Sequence, residues 1–348
     1  MCILAIYAKK AQLEPMRLKQ HYNELKQKSK EVKSIMKFSK TMVYTKHIYI
    51  KIVMNKSQRT GIIDVIIAAA LWGLSGVCGE YLMQNYAISP NWLVPYRLTL
   101  AGAILVFYNI FKSKRDTVAI WNAYPIRLLI FSIFGITLTQ YSYFCCVNAT
   151  NAGTGTVLQQ VCIVMVMLYT CFIEKRLPTL KENICVVLAV AGVYLMSTHG
   201  NINTLVISKE GLFWGMVCAL AVSIYTVVPK ILIKKFGSTT TTGWGMLTGG
   251  ILLMSVFRPW EMGTELNPVI LEVLVVIIIF GTVIPFSLYL KGVNQTSPDK
   301  AIMLSNVEPL TAAVLSALCL GDTYSVMDII GAACILSTIF ILAQDEKK

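Results

Sequence analysis

The stretch IFGITLTQYSYFCCVNAT at residues 133–150 returns, 146 residues later, as IFGTVIPFSLYLKGVNQT at residues 279–296. Ile133-Phe134-Gly135 falls on Ile279-Phe280-Gly281, Tyr143 on Tyr289, and Val147-Asn148-x-Thr150 on Val293-Asn294-x-Thr296. The same register carries on to Leu158 with Leu304 and Val161 with Val307. An apolar-rich alphabet yields single matches by chance, but an ungapped cluster of this kind marks two copies of one unit.

Working outward, the chain is 55% hydrophobic and only 14% charged, whereas an ordinary soluble domain carries roughly 25% charged residues. Its apolar stretches approach the ~20 residues that cross a hydrocarbon core. Spans are predicted near 61–83, 91–112, 125–147, 152–173, 183–199, 210–233, 241–257, 269–290, 299–319 and 325–343, with Asn148–Gly153 and Asn294–Lys300 read as tight turns. The fold class is therefore an all-α integral membrane protein of about ten transmembrane helices. Residues 61–200 form the first repeat (helices one to five) and 210–343 the second (helices six to ten). Five is odd, so the second copy enters from the opposite side, and the two repeats are inverted. Many secondary transporters are built this way, with the substrate site between the halves.

Charge gives an orientation, because Lys and Arg gather in cytoplasmic loops. Lys56, Arg59, Lys112, Lys114, Arg115, Arg127, Lys175, Arg176, Lys181, Lys234, Lys235, Lys291, Lys300, Lys347 and Lys348 fall on one side, against Lys209 and Arg258 on the other. Both termini are expected in the cytoplasm of a multi-pass plasma-membrane protein. The formal net charge of +13 is concentrated in the first 53 residues, which hold twelve Lys or Arg against three Glu. Residues 1–60 read as a basic cytoplasmic tail facing anionic lipid. Met54-Asn55-Lys56-Ser57 has the form of an ordinary start, which leaves the preceding residues open to a start-site artefact. No signal-peptide pattern is found, and helix one is expected to be an uncleaved anchor. The ten cysteines fall mostly inside spans, where Cys packs as a small apolar residue; vicinal Cys145 and Cys146 raise a redox reading beside that one.

Several short motifs stand in order along the chain: Leu71-Trp72-Gly73, Ser89-Pro90 followed by Arg97, the Asn-Ala-Thr-Asn-Ala-Gly turn at 148–153, Glu174-Lys175-Arg176-Leu177, Glu308-Pro309 and Gly321-Asp322. Together they resemble the drug/metabolite transporter superfamily, in its ten-helix branch with two EamA domains. The likeness covers residues 61–343. It implies export or exchange of amino acids, other metabolites or drugs by alternating access. The chain departs from the pattern where repeat one has Cys162-Ile163 opposite Glu308-Pro309, and where Glu80 stands at a place many relatives give to a cation.

Ionisable groups within spans are expensive and mark candidate sites. Glu80 and Arg97 lie at similar depth in helices one and two, so pairing or substrate contact is weighed against snorkelling to the interface. Lys230 takes roughly the place of Glu80 in the second repeat, an opposite charge that a zwitterionic substrate could use, weighed against an ordinary cytoplasmic-end cation. Glu308, two turns into helix nine, is either a proton-coupling carboxyl or a cap for backbone groups freed at Pro309. Further substrate-binding candidates are Trp72, Gln140, Tyr141, Tyr143, Gln159, Gln160, Tyr225, Trp244, Tyr289 and Asn306. Adjacent Gln159 and Gln160 cannot both face lipid without leaving an amide unpaired. Gly73, Gly76, Gly79, Gly243, Gly245, Gly249 and Gly250 suit close helix approach.

Other classes find little support. No phosphate-cradling loop, no cofactor or metal motif and no HExxH or GxSxG constellation is present, so an ATP-driven pump and an enzyme are not expected. A receptor or scaffold role remains the alternative, although it gives the inverted repeat no mechanical purpose. The expected partners are a small-molecule substrate and the lipid bilayer, with a homodimer left open and nucleic acid excluded.

Overall fold

Proline, asparagine, serine and threonine set where the helices begin. In the computed structural model, which describes residues 58–201, 205–296, 301 and 304–343, every described element is helical. Ten apolar segments run in order: α1 (Gln58–Tyr86), α2 (Pro90–Ala123), α3 (Pro125–Ala149), α4 (Ala152–Ile173), α5 (Leu180–Thr198), α6 (Lys209–Val227), α7 (Ser238–Phe257), α8 (Pro268–Val293), α9 (Val307–Cys319) and α10 (Val326–Ala343). Among the described residues seven helices are long and apolar enough to cross a membrane, and α9 and part of α10 are shorter apolar helices. Proline at the first turn starts α2, α3 and α8, where its missing N–H costs nothing. Asn151, Ser208 and Asn267 cap α4, α6 and α8 through their side chains. At α5 the Thr179 and Glu182 side chains form a reciprocal capping box, and Arg176 holds Glu182 at 2.7 Å. These bonds push the Arg176 guanidinium above its ordinary range.

One expected boundary is corrected, at helix six. Helix two spans Pro90–Lys114, close to the expected 91–112; Ser113 leaves helical geometry (φ −159, ψ 85), and beyond this kink the chain resumes as a helix to Ala123. Thr117 and Ile120 on this extension are buried, and Trp121 meets Trp244 edge to face at 5.6 Å. Helix six is not continuous to 233, because Pro229 breaks it and a short helix, Lys230–Phe236, comes after the break. The Asn148–Gly153 turn is as tight as expected, with α3 ending at Ala149 and α4 starting at Ala152. The Asn294–Lys300 turn lies largely outside the described residues, as does the basic tail up to Ser57.

The inverted repeat reappears in the backbone. Both copies of Ile-Phe-Gly are π-helical, at Phe131–Thr137 in α3 and Ile279–Val283 in α8. α4 is interrupted at Gln160 and the helix leading into α9 at Asn306, positions equivalent in the repeat. Contacts obey the same symmetry. A Cβ on Gly61 of α1 would fall 2.9 Å from Thr296 Cγ2, and one on Gly211 of α6 would fall 2.5 Å from Thr150 Cγ2. Likewise Gly281 abuts Ser75 of α1, as Gly135 abuts Tyr225 of α6. Helices of the two repeats pair as α2 with α7, α5 with α10, α4 with α9, α3 with α6 and α1 with α8.

Close approach at glycine replaces the hydrophobic drive that lipid cannot supply. Gly102 meets the Leu247 backbone and Gly250 the Thr99 backbone where α2 crosses α7. Gly192 and Gly331 each face the other's carbonyl where α5 crosses α10. The connections at 150–151, 258–267 and 320–325, with residues 199–201 and 205–208, share one end of the bundle, here the Asn151 end. The opposite, Lys175 end holds the α4–α5 connection and an ion pair from Lys291 Nζ to Asp64 Oδ2 at 2.8 Å, off the line of an aligned hydrogen bond.

Candidate functional site

The π turn in α8 prepares a place for a buried cation. A π turn disturbs the regular ladder, and the Gly281 carbonyl accepts from Arg97 at 3.2 Å while Thr282 Oγ1 accepts from Arg97 Nε at 2.9 Å. The guanidinium of Arg97, only 3% exposed, also lies over the Phe144 ring, 5.0 Å from its centroid. Gly281 must be glycine here, since a Cβ would collide with Ser75.

Glu308, just past the interruption at Asn306, is the acidic group whose charge reaches Arg97 and Tyr143, and Gln159 of α4 lies beside it. The Gln159 carbonyl oxygen accepts from Cys218 Sγ at 3.5 Å. Around this polar centre stand Trp72, with Tyr289 and Phe286 each at 5.1 Å, and Tyr225 stacked on Phe131 at 5.7 Å. Tyr225, Tyr289 and Glu308 are half-buried. Trp72 Nε1, Ser75 Oγ and Tyr143 OH are buried without a hydrogen-bond partner among the described residues, and buried donors call for partners. The cluster thus brings together one cation, one carboxyl, an amide and several hydroxyls that suit a polar solute.

Glu80 is elsewhere. It is 1% exposed and makes no ion pair with Arg97; its carboxylate accepts from the Ala152 N–H and from Gln84 Nε2, both at 2.9 Å. Both groups are buried, so the snorkelling alternative falls too. Nearby, on the α9–α10 connection, burial pushes the Tyr324 phenol up to about 12. His199 Nε2 touches both Asp328 Oδ1, at 3.1 Å, and Ser325 Oγ, at 3.2 Å. Both contacts use one ring nitrogen, so the three do not form a proton relay.

Four other candidates have packing partners or sit in the backbone breaks. Tyr141 O–H donates to Asn91 at 2.7 Å and its ring stacks on Phe257 near the Asn151 end. Trp244 Nε1 donates to the Thr117 carbonyl at 2.7 Å, fixing the kinked extension of α2. Gln160 and Asn306 are buried at the equivalent helix interruptions. Gln140 is half-buried in α3. Lys230 is exposed at the start of its short helix. Cys146 Sγ donates to the Gly211 carbonyl at 3.2 Å, a packing role. The reading of residues missed Thr282, the Gly281 carbonyl and Phe144 as the seat of Arg97, although the repeated Ile-Phe-Gly was their signal. It named Asp322 only within the Gly321-Asp322 motif and placed neither it nor Ser316 near Glu80.

The profile of the EamA-like transporter family matches residues 59–198 and again 209–344. An uncharacterized inner membrane transporter of Salmonella typhimurium, YicL, is 33% identical over 84% of this chain and 98% of its own length. The uncharacterized transporter YwfM of Bacillus subtilis is 25% identical over 82% of this chain and 94% of its own. A solved crystal structure has the same fold, with a TM-score of 0.57 at 15% identity, covering 84% of this chain and 99% of the other.

Proposed function

The chain belongs to the EamA-like transporter family, and from that premise we propose that it moves small metabolites, such as amino acids or related compounds, across a membrane by alternating access, as an exporter. The observation that carries this reading is the meeting of Arg97, Gln159 and Glu308 with Trp72, Tyr225 and Tyr289 where the α3 and α8 π turns and the two helix interruptions converge. Secondary transporters hold solutes where discontinuous helices of inverted repeats face each other. A zwitterion has a partner for each end there: its carboxylate for Arg97, its ammonium for Glu308.

The two repeats supply the motion. Each half is a five-helix unit, and the halves touch through glycine surfaces that allow rocking. Glu308 exchanges a proton with the solute path, which couples transport to a proton gradient; an unneutralised carboxylate in an apolar interior is costly. The Lys175 end, richer in Lys and Arg, faces the cytoplasm with both termini. The membrane is the plasma membrane, in keeping with the inner-membrane description of the Salmonella relative.

The test is counterflow of labelled amino acids and related amines in liposomes containing the full chain, with and without an imposed pH gradient. Saturable counterflow of at least one solute is expected. In Glu308→Gln, gradient-driven uptake is lost while counterflow survives. Absence of counterflow across the panel, in protein shown to be folded, would favour a receptor or scaffold.

A further inference from the structure

At the Asn151 end one carboxylate fastens α1 to α4. Ala152, whose N–H bonds Glu80 Oε2, is the first residue of α4, and a helix N-terminus favours negative charge. A second carboxyl, Asp322 on the α9–α10 connection, comes within hydrogen-bonding reach of Glu80. Asp322 accepts from Ser316 Oγ, and the Tyr324 hydroxyl lies 3.3 Å from both Ser316 Oγ and Asn151 Oδ1. Gly153 admits that phenol, since a Cβ there would fall 2.2 Å from it. Three segments from both repeats therefore converge on two acids.

Among the described residues the second repeat shows no equivalent fastening. The pairing of Gly61 with Gly211 puts Lys230 at the place of Glu80, and Lys230 is exposed. A lysine has no acceptor with which to cap a helix N-terminus.

We infer that Glu80, set against the Asp322 connection, carries a proton that holds the Asn151 end closed, and that losing this proton opens it. Two carboxyls in contact cannot both be ionised without strong repulsion. The closed form therefore needs a proton that the open form, with water between the acids, does not. The other ionisable groups facing the cluster are Tyr143 of α3, Cys78 of α1, Cys319 of α9, Tyr324 of the connection, Asp328 of α10 and His199 after α5. His199 is engaged by Asp328 and Ser325, so among the described residues no cation neutralises the pair. Because the proton is bound in the closed form, closure is complete at low pH and the open fraction grows as pH rises, by up to about tenfold per unit for one proton. This closure stands whichever solute the interior takes.

Hydrogen exchange of the full chain, followed on peptides covering residues 148–158 from about pH 5.5 to 8.5 and divided by the intrinsic chemical rate, reads the closure directly. Protection of these amides should fall with rising pH, while peptides from α5 and α10 keep theirs. Asp322→Asn, whose amide donates to Glu80 without a titrating proton, should hold protection flat across the range. Glu80→Ala should lose protection at every pH. A flat profile in the unmodified protein, or an unchanged slope in Asp322→Asn, would overturn the inference.

Discussion

Arg97 reaches from α2 to α8, where Thr282 and the Gly281 carbonyl take its hydrogen bonds and Phe144 its face. A guanidinium in such a place is held by satisfied geometry, and Glu308 balances part of its charge. Replacing Arg97 by Met removes those bonds and leaves Glu308 without its opposing charge. Thermal unfolding in detergent should show Arg97→Met destabilised by about 3 kcal/mol. Arg97→Met combined with Glu308→Gln should lose less than Arg97→Met alone, because no buried charge then stands uncompensated. Equal losses in the two would mean that the charges do not interact. Arg97 and Glu308 could be picked out as costly intramembrane charges, but their partners could not. The seat of Arg97 is made of a backbone carbonyl and a threonine 185 positions away, and no residue pattern announces a carbonyl's direction.

Among the helices, packing rests on missing side chains. At the α5–α10 crossing a Cβ on Gly192 would fall 2.6 Å from the Gly331 carbonyl, and one on Gly331 would fall 2.7 Å from that of Gly192. Overpacking such a contact typically costs about 1–3 kcal/mol, so Gly192→Leu should lower the thermal midpoint. Val190→Leu, two positions away on a face 65% exposed, should leave it unchanged. A midpoint insensitive to both changes would remove this crossing from the account. The ten segments were legible from hydropathy, because a membrane demands a minimum apolar length. The Ser113 kink and the helix after Pro229 were not, since hydropathy marks where an apolar run ends and carries no information on whether the polar chain beyond it stays helical. The π turns were hidden in the same way: their residues are apolar and helical by composition, and only repetition distinguishes them.

For the whole molecule, the repeat at 133–150 and 279–296 was the most informative feature, and the structure converts it into paired π turns, paired interruptions and paired glycine contacts. That symmetry divides the candidate residues. Trp72, Gln159, Tyr225 and Tyr289 gather with Arg97 and Glu308 at its centre, whereas Glu80, Tyr141 and Trp244 serve the ends. Residue type alone could not make the division, because a tyrosine at a helix end and one at the centre read alike. The central claim is that solute is held at this middle site, and one comparison tests it most directly. Counterflow half-saturation in liposomes is measured for Tyr289→Phe and for Tyr141→Phe, each of which loses one hydroxyl. A lost hydrogen bond to solute is worth about 1 kcal/mol, so Tyr289→Phe should shift half-saturation several-fold and Tyr141→Phe should not. A shift in Tyr141→Phe with none in Tyr289→Phe would contradict the account and move the solute to the Asn151 end.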